Sequence, residues 1–377
     1  MSFKPHEDKD VAAVIDRLLH DPDLLSMMAH WRLPRLSHVL PALARLLVGR
    51  TLRARFGSVD SVRSFQNAVA PIVDRLVDTS TSGFEVIGLT ELDPDQSYLF
   101  MSNHRDIAGD SMLLNIALHR IGRDTVRIAV GDNLDQRSFA TDIMKLNKSF
   151  FVNRTGESPR EVYRALTEVS HYIRESLAEG QSVWIAQSEG RAKDNIDKTD
   201  TAVLKMLQLT DRKRPLDESL AELRIVPMAL AYEFDPCDVA KARELTAVER
   251  DGGYTKAPGE DLMSLVNGLT GFKGRITLEV GRPFVPGSAD VVAVAREIDR
   301  AIASRLRLYP VNFWALSRVD PDTLASLPMS VPDFGADVPG LERRLATCPP
   351  EYQQKWLQHY ANPVLNYARE LGNQTGR

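Results

Sequence analysis

Hydrophobic residues change their spacing along the chain near residue 83. Before it, apolar positions recur at helical intervals that are interrupted by Pro34, Pro41 and Pro71, which predicts a helical region. After it, short apolar runs alternate with longer amphipathic segments. This alternation predicts an α/β fold, with a mainly parallel central sheet flanked by helices. We expect strands at residues 84–88, 98–102, 125–130, 149–153, 182–187, 224–232 and 275–280.

The amphipathic segments predict the helices that connect these strands. The third of them begins with Ser158 and Pro159, a good N-cap followed by a proline in the first turn. Residues 238–273 have a turn-rich composition and are expected to form a loop-rich insertion. The predicted helices lie near residues 110–121, 136–146, 159–178, 199–209 and 290–306.

Helical spacing returns from about residue 309 and continues to the end of the chain. We therefore expect three parts. A helical N-terminal region covers residues 1–80, an α/β domain covers 81–308, and a helical C-terminal region covers 309–377.

Composition is that of an ordinary globular enzyme, with 26% charged residues and a net charge of −4, so nothing favours nucleic acid as a partner. Only Cys237 and Cys348 are present, which excludes a disulfide framework or a clustered thiolate metal site. No charge-free stretch approaches the ~20 residues that span a bilayer, and the charged N-terminus is unlike a signal peptide. We expect a cytoplasmic protein.

Charge is nevertheless uneven, because residues 24–59 contain no acid. Leucines and valines recur there at helical spacing. A basic amphipathic helix can lie on an anionic membrane, with about 1 kcal/mol of attraction per arginine. It can equally pack its apolar face on the protein core and point its arginines to water. Peripheral membrane contact through residues 31–56 is one expectation, and it depends on Arg32, Arg35, Arg45, Arg50, Arg53 and Arg55.

The strongest candidate chemistry follows the predicted strand 98–102, where the chain reads Asn-His-Arg-Asp-Ile-Ala-Gly-Asp. A histidine held by a carboxylate can remove a proton from an alcohol near neutral pH. His104 would be that base, with Asp106 or Asp110 as its partner. Alternatively, Asp110 only caps the next helix and Asp106 only makes a turn. A metal site lacks any recognised ligand spacing, because the nearest other histidine is His119.

Three further strand ends carry polar or constrained residues. The run Ser-Phe-Phe-Val-Asn-Arg ends at Arg154, whose guanidinium is suited to a phosphate or a carboxylate. A Glu-Gly-Arg turn at residues 189–191 follows another apolar strand, and glycine allows a tight turn there. An apolar strand carries Pro227, which predicts an edge or a bulge where a pocket opens. Strand ends at this spacing fit one crevice of a parallel sheet.

These four blocks, in this order, resemble the glycerolipid acyltransferase superfamily over about residues 84–285. The blocks are Asn103-His104 with Asp110, Phe150 to Arg154, Glu189-Gly190-Arg191, and Ile225-Val226-Pro227. The chain departs from the family pattern in three ways. Five residues, in place of four, separate His104 from Asp110; Lys148 stands where glycine is usual; and no residue separates Gly190 from Arg191.

The resemblance implies that His104 deprotonates a hydroxyl while Asp110 orients it, with Asp106 as the alternative partner. The donor would be acyl-CoA or an acyl carrier protein, with no bound cofactor and no metal. The acceptor would be 1-acylglycerol-3-phosphate or, alternatively, glycerol-3-phosphate, in phospholipid biosynthesis. A thioesterase-like hydrolase and a non-catalytic lipid-binding protein remain alternatives. The implied binding residues are Arg154, Glu189, Gly190 and Arg191 for the acceptor phosphate, and Phe151 and Pro227 for the acyl or acceptor pocket.

Overall fold

The computed structural model describes residues 3–131, 138–154, 156, 158–257 and 259–372. Seven strands are present in these ranges, and each overlaps a strand expected from the apolar runs. In chain order they are β1 (Gly83–Ile87), β2 (Leu99–Ser102), β3 (Arg127–Gly131), β4 (Ser149–Val152), β5 (Val183–Ala186), β6 (Ile225–Tyr232) and β7 (Arg275–Val280).

Helices fill most of the remaining described chain. The start of the expected helix 136–146 falls on residues outside the described ranges, and its described part begins at Ser138. In chain order the helices are α1 (Asp8–His20), α2 (Pro22–Arg32), α3 (Pro34–Val39), α4 (Pro41–Phe56), α5 (Val62–Ser80), α6 (Gly109–Arg120), α7 (Ser138–Leu146), α8 (Pro159–Ala178), α9 (Thr201–Leu207), α10 (Leu216–Ala221), α11 (Asp238–Asp251), α12 (Glu260–Thr270), α13 (Val291–Ala303), α14 (Pro310–Val319), α15 (Pro321–Ala325), α16 (Val338–Ala346) and α17 (Gln353–Gly372).

The backbone divides into two compact units. The smaller one comprises Met1–Arg75 and Arg127–Gly156, and the larger one comprises Leu76–Val126 and Glu157–Arg377. The domain boundaries expected near residues 80 and 308 stay predictions.

In the larger unit, five strands form a sheet in the order β1-β7-β6-β2-β5. The pairs β1–β7, β2–β6 and β2–β5 are parallel, and β6–β7 is antiparallel. Strands β2 and β6 are buried along almost their whole length, which explains their continuous apolar sequences. The α/β class and the mainly parallel sheet flanked by helices are confirmed. The carboxyl ends of β2, β5 and β6 lie side by side, at an edge where parallel sheets usually bind ligands.

In the smaller unit, β3 and β4 form a parallel pair beside the N-terminal helices. The core of this unit is built by α1 residues such as Val11 and Ile15 with Phe56, Phe65 and Leu146. The expected helical N-terminal region is therefore present.

Lys148 precedes β4 with a positive φ of 61°. Its carbonyl oxygen accepts a hydrogen bond from Ile128 N–H (3.1 Å), which fixes the residue in this left-handed conformation. Glycine adopts such a conformation without steric cost, which gives a physical reason for the glycine usual at this position of the family pattern.

The expectation of a loop-rich insertion at residues 238–273 is wrong, because α11 and α12 occupy most of that segment. The sequence DVAKARELTAVERD of α11 is largely polar and carries no broad apolar stripe. Its buried positions include Asp238 and Lys241, whose charges are paired within the protein. A reading based on apolar periodicity does not register a helix of this kind.

Candidate active site

Asn103 fixes the start of the segment that carries the histidine. Its buried side-chain amide exchanges two hydrogen bonds with the backbone of Leu230 in β6. Nδ2 donates to the carbonyl oxygen (2.9 Å), and Oδ1 accepts from the N–H (2.8 Å). This amide continues the β2–β6 pairing by one residue after β2 has ended. The backbone at His104 is therefore attached to the sheet.

His104 and Asp110 form a close pair, with 2.7 Å between Nδ1 and Oδ2. Asp110 is fully buried in the first turn of α6. Its Oδ2 also accepts from the backbone N–H groups of Arg105 (2.7 Å) and Asp106 (3.1 Å). Three N–H groups and the first turn of the helix thus hold this carboxylate in place. Since the carboxylate accepts the proton at Nδ1, Nε2 of His104 carries the lone pair that a base requires.

Asp106 does not contact the imidazole ring within hydrogen-bonding distance. Its Oδ1 accepts from the N–H groups of Ala108 (3.1 Å) and Gly109 (2.7 Å), which closes the turn that leads into α6. Burial, and next the charge of Asp110, raise the pKa of Asp106. Oδ2 of Asp106 would lie 1.9 Å from a Cβ atom at position 268, so only glycine fits there. This turn accommodates the one additional residue that separates His104 from Asp110 relative to the family pattern.

Tyr232, at the carboxyl end of β6, is a site residue that the sequence analysis missed. Its hydroxyl donates to Oδ1 of Asp110 (2.9 Å), on the carboxylate oxygen that does not face His104. Burial, followed by the charges of Asp110 and Asp106, raises the pKa of Tyr232 well above its ordinary value, so the hydroxyl remains a donor. The position of Tyr232 at a strand end was the only signal in the sequence.

Trp184 of β5 forms a wall beside the histidine. Its ring meets the imidazole edge-on, with 5.8 Å between the centroids, and its Nε1 donates to Ser102 Oγ (3.1 Å). Because Trp184 is buried and hydrogen-bonded, it restricts the rotation of His104.

The Glu-Gly-Arg turn lies next to the same histidine. Gly190 has a positive φ of 73°, and two residues later the N–H of Ala192 donates to the carbonyl oxygen of His104 (3.1 Å). Glu189 is exposed, and Arg191 is half-buried. In the described part of the chain no carboxylate pairs with Arg191, whereas Lys193 forms an ion pair with Glu244. The block that contains His104 and the Glu-Gly-Arg block are thus adjacent in the structure.

Phe151 and Arg154 belong to the smaller unit. Phe151 lies in β4 with Lys145 Nζ 6.0 Å from its ring centroid, and Arg154 follows β4 with its side chain half-buried. Their assignment to the site stays a prediction.

Pro227 is buried in an interior strand, so the expectation of an edge strand is wrong. Its carbonyl oxygen accepts from Gly281 N–H (2.9 Å) on the side of β7. The paired register of β6 with β7 begins one residue later, at Met228. The backbone nitrogen and carbonyl oxygen of a strand residue face the same neighbouring strand, so the nitrogen of Pro227 also faces β7. Proline has no N–H to donate there, and its position at the end of the β6–β7 pairing makes this absence tolerable. A role for Pro227 in the pocket stays a prediction.

Comparisons with known proteins bear on this arrangement. The family model described as Acyltransferase matches residues 83–231. This segment belongs to the acyltransferase family. It contains all four sequence blocks, so the family resemblance drawn from them is confirmed, and acyl transfer is the activity class.

The other comparisons are weaker. No curated protein matches the chain. Among solved structures, the chain is similar to the 1-acyl-sn-glycerophosphate (LPA) acyltransferase PlsC from Thermotoga maritima. The TM-score is 0.39 and the identity is 11%, with 75% of this chain and 95% of that chain covered.

Within the described ranges, no three His, Cys, Asp or Glu side chains are grouped to hold a metal ion. No described helix combines the length and the apolar character needed to cross a bilayer.

Proposed function

We propose that this protein transfers a fatty acyl group from a thioester to a hydroxyl of a phosphorylated glycerol acceptor, most favourably 1-acylglycerol-3-phosphate. Glycerol-3-phosphate is the alternative acceptor. The observation that carries the proposal is the 2.7 Å pair of His104 and Asp110 inside an acyltransferase-family segment.

The proposed reaction has two proton transfers and one acyl substitution. Nε2 of His104 takes the proton of the acceptor hydroxyl as its oxygen attacks the thioester carbonyl, and the thiol of CoA or of an acyl carrier protein leaves. The proton then passes from the imidazolium to the departing sulfur. Asp110 stabilises the imidazolium through Nδ1, and no covalent enzyme intermediate forms.

Arg191 is the proposed phosphate ligand, and the same role for Arg154 stays a prediction of the family resemblance. Arg191 follows the turn that donates to the His104 carbonyl, and its charge is not neutralised by a carboxylate of the described chain. A guanidinium offers two parallel N–H groups to a phosphate, which suits an acceptor bound by its headgroup.

We predict that Arg191→Gln and Arg154→Ala each raise the KM for the phosphorylated acceptor. A charge-assisted hydrogen bond contributes about 1.5–3 kcal/mol, so the increase is expected to be about 10–100-fold, with donor KM unchanged. The measurement is transfer of a radiolabelled acyl chain from acyl-CoA or acyl carrier protein to a panel of glycerol phosphates and lysolipids. An effect confined to the donor would contradict the assignment, and release of free fatty acid with acceptor present would identify a hydrolase.

We also propose that α3 and α4 lie on an anionic membrane surface. Small residues, Ala44 and Val48, form the inward face of α4 and pack against Ala29. Leu36 and Leu52 are partly buried against this core, whereas other large apolar side chains of the segment are exposed to solvent. The exposed apolar side chains are Trp31, Val39, Leu40, Leu43, Leu46 and Leu47.

The basic side chains of the same segment support a negatively charged partner surface. Arg32, Arg35, Arg45, Arg50, Arg53 and Arg55 are exposed, and no acid lies between Asp23 and Asp60. Exposed leucines among arginines are the pattern of a helix that lies in the interface of an anionic bilayer.

Flotation with phosphatidylglycerol vesicles tests this proposal. Arg45→Gln with Arg50→Gln is expected to lower partitioning by about 30-fold, at about 1 kcal/mol per arginine, and Val39→Ser is expected to lower it further. Val285→Ser is the matched control, because Val39 and Val285 are both 75% exposed. Equal partitioning of the arginine variant and the wild type, or equal binding to neutral vesicles, would contradict the proposal.

A further inference from the structure

Three side chains on one face of α17 bind the segment that follows the Glu-Gly-Arg turn. His359, Asn362 and Asn366 are spaced so that they share this face of the helix. Nδ1 of His359 is 2.6 Å from the carbonyl oxygen of Lys193. The Nδ2 groups of Asn362 and Asn366 donate to the carbonyl oxygens of Asp194 (2.7 Å) and Asn195 (3.1 Å).

The side chain of Asn195 completes this contact in the opposite direction. Its Nδ2 lies 3.0 Å from both the Nε2 and the carbonyl oxygen of His359. Since the Lys193 carbonyl can only accept, Nδ1 of His359 carries a proton, and Nε2 faces both Asn195 Nδ2 (3.0 Å) and Asp235 Oδ2 (3.4 Å). Asn195 itself has a positive φ of 58°, so the segment is held in a conformation that few residues adopt unaided.

The same segment is attached to the catalytic histidine on its other side. Ala192 N–H donates to the His104 carbonyl oxygen, as described above. Arg105 donates two hydrogen bonds to Asp197, from Nη1 to Oδ1 (3.0 Å) and from Nη2 to Oδ2 (2.6 Å). Residues 192–197 therefore lie between the catalytic segment and α17.

Helix α17 is itself fixed by buried contacts within the larger unit. Trp356 and Tyr360 are buried, and the Tyr360 hydroxyl donates to Asp238 Oδ2 (2.8 Å). Asn312 of α14 donates to the Tyr360 carbonyl oxygen (2.9 Å). A helix held in this way can act as a rigid support for a loop that has no regular structure of its own.

We propose that His359, Asn362 and Asn366 are positioning residues, which set the place of Arg191 for the acceptor phosphate by fixing residues 193–195. This inference rests on the proposed function, because it assumes that Arg191 binds the acceptor. It assigns a role to a helix that lies outside the acyltransferase-family segment of residues 83–231.

The test is the double substitution Asn362→Ala with Asn366→Ala. It removes two donors to the loop and leaves Arg191 and His104 unchanged. We expect the KM for the acceptor to rise about tenfold, in line with the loss of one to two net hydrogen bonds, while donor KM stays at the wild-type value. Backbone amides of residues 192–197 are expected to exchange hydrogen for deuterium faster than in the wild type. The control is Gln354→Ala, an exposed position of the same helix.

The outcomes separate the two proposals. If the wild type acylates no acceptor of the panel, the proposed function fails. If the wild type is active and the double variant keeps the acceptor KM of Gln354→Ala, this inference alone is overturned. If both KM values and the melting temperature change together, the helix has a structural role only, which also overturns it. Faster exchange confined to residues 192–197, together with a raised acceptor KM, supports it.

Discussion

His104→Ala is expected to reduce acyl transfer by about 10²–10⁴-fold, the contribution usual for a positioned general base. Its imidazole is the proposed acceptor of the hydroxyl proton, and Asp110 already holds the Nδ1 side of the ring. The loss should appear in kcat, because the imidazole acts on the reacting proton and not on the phosphate. The measurement is single-turnover acyl transfer with saturating acceptor and donor.

The matched control is His171→Ala, a histidine exposed on α8. Both variants are expected to stay close to the wild-type melting temperature, since the His104 backbone is held through Asn103 and His171 is exposed. Normal turnover by His104→Ala would remove the base from the proposed reaction. A non-catalytic lipid-binding protein would bind lysolipid equally well in all three forms and acylate it in none.

The strands could be predicted because each combines a short apolar run with polar residues at both ends. β2 and β6 are buried along their length, and their sequences are correspondingly apolar. Helix α11 could not be predicted in this way, since two of its buried positions, Asp238 and Lys241, carry charges. Their partners are distant in sequence or outside the helix, such as Arg344 for Asp238 and Asp235 for Lys241.

The site could be predicted only as far as its residues are neighbours in sequence. The His104 and Asp110 pair follows from a strand end and a helix start six residues apart. The contact of Tyr232 with Asp110 joins positions 122 residues apart, and the contact of Asn362 with Asp194 joins positions 168 apart. Such contacts depend on strand order and helix packing, which cannot be read from the local pattern of apolar and polar residues. Arg154 shows the same limit, because its role rests on the family pattern alone.

Asp110→Asn is expected to lower kcat by about 100-fold with little loss of stability. An asparagine side chain fits the existing contacts, since its carbonyl oxygen can face the three donors that now meet Oδ2. Its amide can donate to Tyr232, whose hydroxyl oxygen can accept. The geometry therefore survives, but the negative charge beside the imidazole is lost. A neutral amide stabilises the imidazolium far less. The free energy needed to protonate His104 therefore rises, and acyl transfer slows.

Asp106→Asn is the matched comparison, because it removes a neighbouring buried carboxylate that bonds only to the turn. The asparagine oxygen still accepts from Ala108 and Gly109, so the turn is kept, and activity close to that of the wild type is expected. Parallel kcat measurements on the two variants decide which acid serves His104. A larger loss from Asp106→Asn than from Asp110→Asn would show that the imidazole changes partner when the acceptor is bound. Equal losses would mean that the combined charge of the two acids matters and the 2.7 Å contact does not.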